Sequence, residues 1–211
     1  LAAYALAAIG CGASFMVGAL PGGAGKTTVM GALLGLVPPG LRLVPADGMA
    51  ALRRGLDASE PRQGFICHEI SSGAYYAYLW GDELRAYFRL AEAGHVLATT
   101  LHADTFEQAR AQVVGENAVA PELFRRMNLA FFLEVSRTQR GSRRRIAGVW
   151  ESEGTEDHRS LLAGGRLQWD RSRLVTADHA AAARETIGAL LASGARTIAE
   201  VRRWLLEHWP G

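Results

Sequence analysis

The stretch Leu20-Pro21-Gly22-Gly23-Ala24-Gly25-Lys26-Thr27-Thr28 constrains this chain more than any other. It follows an apolar, strand-like run, Ser14–Leu20. After it come Met30, Leu33, Leu34 and Val37 at helical spacing, stopped by Val37-Pro38-Pro39-Gly40. Strand, glycine-rich turn, Lys-Thr and helix form the context that a phosphate-binding loop needs. Glycines carry no Cβ, so successive backbone N–H groups can turn toward one anion. A helix starting near Lys26 adds unsatisfied amides and the positive end of its dipole. Pro21, Gly22, Gly23, Ala24 and Gly25 are the predicted cradle. Lys26 is predicted to bridge the β- and γ-phosphate oxygens of ATP, the Thr27 hydroxyl to ligate Mg²⁺, and Thr28 to support the α-phosphate. An ordinary glycine-rich turn is the alternative, and the four features together argue against it. Leu20 stands where the G-x-x-x-x-G-K-[ST] pattern begins with glycine.

Composition strengthens the reading of Lys26. Of 23 lysines and arginines in the 211 residues, Lys26 is the one lysine. A chain that otherwise uses arginine keeps a compact ammonium on a flexible stem at this loop. With 49% hydrophobic and 21% charged residues, disorder, collagen and coiled coil are excluded as whole-chain descriptions. A formal net charge of +2 is too small to argue for nucleic acid, and no direct nucleic-acid binding is expected. The two cysteines, Cys11 and Cys67, lie in apolar sequence, imply no disulfide framework and fit a reducing cytoplasm. Leu1–Leu20 lacks charge, yet Gly10-Cys11-Gly12 interrupts it. A short helix near 2–9 and a strand near 13–20 are predicted instead of a membrane span. The chain starts on Leu1 rather than Met, and the expectation is a piece of a longer protein.

Strand-like runs at Ser14–Leu20, Leu41–Ala46, Gly64–Glu69 and His95–Leu101 alternate with helical stretches at Lys26–Leu36, Gly48–Leu56 and Ala74–Ala93. This alternation predicts a mostly parallel sheet with helices on its faces. Helices are expected near 105–115 and 120–127. Leu129–Val135 and Arg144–Trp150, joined through Gly141-Ser142, read as a hairpin on the sheet edge. Residues 152–173 are polar and glycine-rich, and Ala177–Leu191 with Ile198–Trp209 read as a helical pair.

Three strand tips carry candidate chemistry. Gly64-Phe65-Ile66-Cys67-His68-Glu69 ends in an acid, and strand C-terminal ends line the ligand crevice of such sheets. Glu69 is the predicted group that orients and deprotonates the attacking water. Asp47 closes the preceding strand and either holds a metal-bound water or caps the helix at 49–56. Thr99-Thr100-Leu101-His102 ends the fourth strand, and His102 is the candidate contact to the γ-phosphate, with Thr100 behind it.

In this order the residues resemble the secretion ATPase superfamily, P-loop motors of type II and type IV secretion, type IV and tight-adherence pili and archaella. The family's Walker A segment corresponds to Pro21–Thr28 and its acidic box to Asp47. Its atypical Walker B corresponds to Phe65–Ile70 and its His box to Thr100–Asp104. Leu20, His68, Ser71 and Asp104 replace usual residues, and the short stretch between Asp47 and Glu69 reduces an arginine-bearing arm. Arg53, Arg54 and Arg62 remain candidates for charge compensation across a subunit boundary. The family's N-terminal domain, which helps form the nucleotide site, has no counterpart in these residues.

The resemblance implies an α/β fold, a RecA-like P-loop NTPase core over 1–151 with an edge hairpin. Residues 152–211 then form a polar connection and a small helical C-terminal end. It implies MgATP hydrolysis with Glu69 and His102 in the site, a homo-oligomeric ring, by resemblance a hexamer, and an inner-membrane platform protein as partner. The location implied is cytoplasmic and peripheral at the membrane. Two rival readings are a small P-loop kinase, which should add an arginine-bearing lid and an acceptor pocket, and a nucleotide-binding regulatory module with decayed turnover. Arg140-Gly141-Ser142-Arg143-Arg144-Arg145 reads as a solvated cluster. The aromatic stretch Ala74–Trp80 reads as helix core packing in preference to a partner-docking face.

Overall fold

A computed structural model of the chain describes residues 1–57, 59–73, 75–138, 141–163 and 165–209. Ala74 and Arg140 of the sequence readings fall outside them. The first helix, α1 (Ala2–Gly10), leads into β1 (Phe15–Gly18), the loop, and α2 (Lys26–Leu34). Next come β2 (Arg42–Pro45), α3 (Gly48–Gly55), β3 (Gln63–Ile70), the short β4 (Tyr78–Leu79), α4 (Gly81–Arg89) and β5 (Val96–Leu101). A helix α5 (Phe106–Arg110) continues as π-helical turns over Ala111–Glu116, followed by α6 (Pro121–Arg125). The long strands β6 (Leu129–Thr138) and β7 (Gly141–Glu151) precede three two-residue strands, β8 (Arg159–Ser160), β9 (Leu162–Ala163) and β10 (Arg166–Leu167). The chain closes with α7 (Ala177–Ser193) and α8 (Ile198–Glu207).

Among the described residues the main sheet runs β2-β3-β5-β1-β6-β7-β8, with β4 beside the end of β3. From β2 to β6 every pairing is parallel, and β7 and β8 join antiparallel, so the predicted edge hairpin is present. All four residues of β1 are buried, as expected for a strand covered on both faces. Period-two alternation then divides the core. Phe15 and Val17 of β1 and Leu129, Phe131 and Leu133 of β6 pack with α1, α2, α7 and α8. Met16, Ala130 and Phe132 face the other layer with Leu52, Leu84, Phe88 and Phe124 from α3, α4 and α6.

Local chemistry sets the element ends. Thr176 caps α7 by accepting from the His179 N–H at 3.3 Å, and Gly194 ends it at φ +81°. Thr197 and Glu200 form a capping box on α8. Arg202 of α8 reaches the Gly35 carbonyl at 3.2 Å, tying the C-terminal pair to the end of α2.

Two expectations change. The helix predicted over Ala74–Ala93 begins at Gly81. The segment before it turns at Ala77, φ +53°, and pairs as β4 with β3. Tyr75 and Tyr76 are therefore 73% and 66% exposed, not core. Cys11 is exposed, while burial pushes the Cys67 thiol up to about 12. Leu1–Leu20 forms α1 and β1, and no helix among the described residues is long and apolar enough to cross a membrane.

Candidate nucleotide site

The loop between β1 and α2 needs its glycines for backbone reasons. Gly23 and Gly25 have φ of +72° and +101°, in the left-handed region that side chains disfavour. A Cβ on Gly22 or Gly23 would meet nothing within 4 Å, so the space beside these two positions is open. The Ala24 N–H donates to the Pro21 carbonyl at 3.3 Å, which closes the turn. Gly25 is the N-cap of α2, and no side chain caps the first turn there. Amides of that turn therefore face outward as donors. This cradle fits a polyphosphate.

At the strand tips the predicted residues come together. The Lys26 ammonium donates to the Ala19 carbonyl at 3.1 Å and lies 3.6 Å from Glu69 Oε2 and 3.3 Å from His102 Nδ1. His102 Nε2 is 3.1 Å from Glu69 Oε1. A neutral His102 with its proton on Nε2 satisfies both neighbours, since Nε2–H donates to Glu69 while Nδ1 accepts from Lys26. A doubly protonated ring would instead donate from Nδ1 to the Leu20 carbonyl, 3.2 Å away. Glu69 is only 8% exposed, so its charge needs the opposite charge of Lys26 beside it.

Topology explains the meeting. Since β5 lies between β1 and β3, His102 after β5 stands between the loop and Glu69. The pairing of β3 with β5 shifts register between Cys67 and Ile70, and both of these residues face the α3–α4 layer. A bulge of this kind re-aims the residues within it, here His68 and Glu69. Thr100 steadies the irregularity by donating its hydroxyl hydrogen to the His68 carbonyl at 2.8 Å.

Asp47 sits elsewhere. It is exposed at the N-cap of α3, after edge strand β2, and makes no side-chain cap bond. It borders a separate cleft of about 320 Å³ with Arg42, Arg54 and Glu60. Arg62 donates to the Gly12 carbonyl at 3.2 Å, away from the loop.

Three contacts have no local signature in the sequence. Asp104 accepts the Leu20 N–H at 2.7 Å, pinning the start of the loop at the position where glycine is replaced. Arg144 of β7 donates from Nε to the Gly23 carbonyl at 3.2 Å, so part of the basic cluster faces the loop. Tyr78 stacks on His68 with ring centroids 5.7 Å apart. Its hydroxyl pKa is raised by desolvation and then by the neighbouring Glu69 carboxylate. Pairing of β4 with β3, Tyr78 opposite Glu69, creates that neighbourhood.

The donor set also suits Mg²⁺. This ion keeps several waters and binds through few protein oxygens plus substrate phosphates, and Thr27 offers a hydroxyl in the first turn of α2. Among the described residues no group of three His, Cys, Asp or Glu side chains forms a closed cage.

These features define a RecA-like P-loop NTPase fold: a mostly parallel sheet, helices on both faces, and a glycine loop between the central strand and its helix. The VirB11 ATPase of the Brucella suis type IV secretion system, solved with sulphate, is similar in fold. Its TM-score is 0.52 at 20% identity, over 72% of this chain and 53% of that one. The Legionella pneumophila ATPase DotB aligns at TM-score 0.44 and 13% identity, over 95% of this chain and 54% of that one. The chain thus spans about half the length of each. No protein-family model and no curated protein matches it.

Proposed function

We propose that the chain is an ATP-hydrolysing module of the secretion ATPase superfamily, working in a type II or type IV secretion or pilus-assembly machine. The observation that carries this reading is the mutual contact of Lys26, Glu69 and His102 at three adjacent strand tips beside an open glycine cradle. The fold likeness to VirB11 supports it.

In this reading the amides of Gly22–Thr28 and the Lys26 ammonium hold the β- and γ-phosphates. Lys26 then exchanges its carboxylate partner for phosphate oxygens. Mg²⁺, held by Thr27, would neutralise phosphate charge. Glu69, released from the lysine, orients a water and takes its proton as the water oxygen attacks the γ-phosphorus; the bond from the γ-phosphorus to the β–γ bridging oxygen breaks, ADP leaves with that oxygen and its negative charge, and inorganic phosphate is the other product. Such a reaction depends on positioning and charge stabilisation. His102 touches both Lys26 and Glu69, so a change at the loop is felt at the acid. Asp47, further along the sheet edge, would act only through water. Arg53, Arg54 and Arg62 would serve a neighbouring subunit in a closed head-to-tail ring, of hexameric size by resemblance. The module would work at the cytoplasmic face of the membrane on a platform protein, with 1–151 as the motor core and 152–211 as its appendage.

Phosphate release from MgATP without any acceptor tests this. The expected result is acceptor-independent release that Lys26→Ala abolishes. ADP formation only with an added acceptor would replace this reading with a kinase, and tight binding without turnover would replace it with a regulatory module.

A further inference from the structure

Glu69 has a neighbour besides Lys26 and His102. The strand β4 is two residues long, and its register sets Tyr78 directly opposite Glu69. Its other residue, Leu79, stands opposite Ile70, and both are buried in the α3–α4 layer. Alternation therefore puts Tyr78 and Glu69 together on the other face. We infer that Tyr78 is a positioning residue for Glu69: its hydroxyl donates to the carboxylate and keeps it oriented when Lys26 goes over to phosphate. This inference rests on the proposed ATPase reading and deepens it.

Placement comes first. β4 and β5 flank β3, and Ile70 pairs with Leu79 on one side and Leu101 on the other. Glu69 thus has Lys26 and His102 on one flank and Tyr78 on the other. Exchange of Lys26 for phosphate leaves the tyrosine where it is. Hydrogen bonds fix β4 to the irregular part of β3. The His68 N–H donates to the Ala77 carbonyl at 2.8 Å, and the Ser71 N–H to the Leu79 carbonyl at 3.3 Å. Between them Ala77 holds φ +53°, a left-handed conformation that persists only where its surroundings impose it. The ring is fixed as well. It stacks on His68, with centroids 5.7 Å apart and 20° between the planes, and lies 5.2 Å from the Tyr75 ring. A ring held by two neighbours gives its hydroxyl a set direction. Desolvation raises the pKa of that hydroxyl, and the charge of Glu69 and a hydrogen bond to its carboxylate raise it further. A hydrogen bond from a neutral hydroxyl favours the ionised carboxylate, the form a base needs.

The test compares Tyr78→Phe with the parent full chain in steady-state phosphate release from MgATP across pH. Phenylalanine keeps the ring beside His68 and Tyr75 and removes only the hydroxyl. The expected result is kcat lower by about 10-fold with KM within about twofold. The acid limb of the kcat profile should move up by about half a pH unit, since a donor to the carboxylate is gone. The titratable groups around Glu69 in that profile are Lys26, His102, His68, Cys67, Tyr75 and Tyr78. Parent kinetics in Tyr78→Phe would overturn the inference and leave Tyr78 a packing residue. In a Glu69→Gln background Tyr78→Phe should cost nothing further, and a second 10-fold loss there would overturn it too, because the hydroxyl would not act through Glu69. Parent release in Glu69→Gln alone would instead bring down the base assignment beneath the inference. A readout without turnover is the ring-carbon NMR titration of Tyr78, its resonance identified by its loss in Tyr78→Phe. It should titrate at lower pH in Glu69→Gln than in the parent, and an identical titration would overturn the contact itself.

Discussion

Glu69, one residue before the end of β3, and Asp47, two residues beyond β2, both stand at the C-terminal ends of neighbouring parallel strands, and the structure treats them differently. Glu69 is 8% exposed and lies against Lys26 and His102. Asp47 is exposed at the N-cap of α3 and borders a polar cleft of its own. The difference comes from strand order. One strand, β5, separates β3 from β1, and its own tip supplies the histidine that bridges the gap. Edge strand β2 is one place further out, where a side chain meets solvent first. A bulge then turns Glu69 inward, and no comparable irregularity accompanies Asp47. An acid at a strand end is therefore a catalytic candidate only when topology brings it to the loop.

Several substitutions would break or sharpen this contrast. Lys26→Ala removes the cation beside Glu69 that the proposed function also assigns to the phosphates. Turnover is expected to fall about 100-fold or more, read as phosphate release, and binding of a fluorescent ATP analogue should fall with it. Asp47→Asn should lower turnover by less than about 10-fold. A loss as large as that from a Glu69 substitution would show that the two acids act as one unit. Asp104→Ala removes the acceptor for the Leu20 N–H and should destabilise the fold by about 1 kcal/mol in urea unfolding, with nucleotide affinity reduced alongside.

The smallest effect is a pH dependence far from the loop. His158 donates from Nε2 to the Met127 carbonyl at 2.7 Å and packs between Phe106 and Phe124. Burial holds its pKa below the ordinary 6.5. The unfolded chain therefore takes up the proton first. The stability from neutral His158 is complete above pH 6.5 and is lost as pH falls through its lowered pKa. Thermal unfolding between pH 5 and 7 should show this slope, and His158→Gln should flatten it.

Much of the architecture was legible because it is written in local chemistry. Glycines, the one lysine and the apolar run before them marked β1, the loop and α2, and the Pro-Pro stop marked the end of that helix. Glu69 and His102 were legible as polar ends of buried strands. Arg144 and Asp104 were not, because their contacts to the loop span 121 and 84 residues, and nothing local distinguishes Arg144 from its solvated neighbours. The bulge in β3 was hidden for the same reason, since register is a property of two strands. The helix predicted over 74–93 failed at its start. Aromatic residues at Tyr75, Tyr76 and Tyr78 suggested burial, whereas the start was marked by Gly81, φ +57°, followed by the acidic Asp82 and Glu83 of the first turn.

Glu69→Gln tests the central claim most directly, through ATP affinity and single-turnover phosphate release measured on the same preparation. The substitution keeps the side chain's shape and removes its basicity. The account predicts affinity equal to the parent chain or tighter, because Lys26 is freed for phosphate, with release slowed about 100-fold or more. Release at the parent rate with unchanged affinity would contradict it, and the proton acceptor would then have to be sought elsewhere.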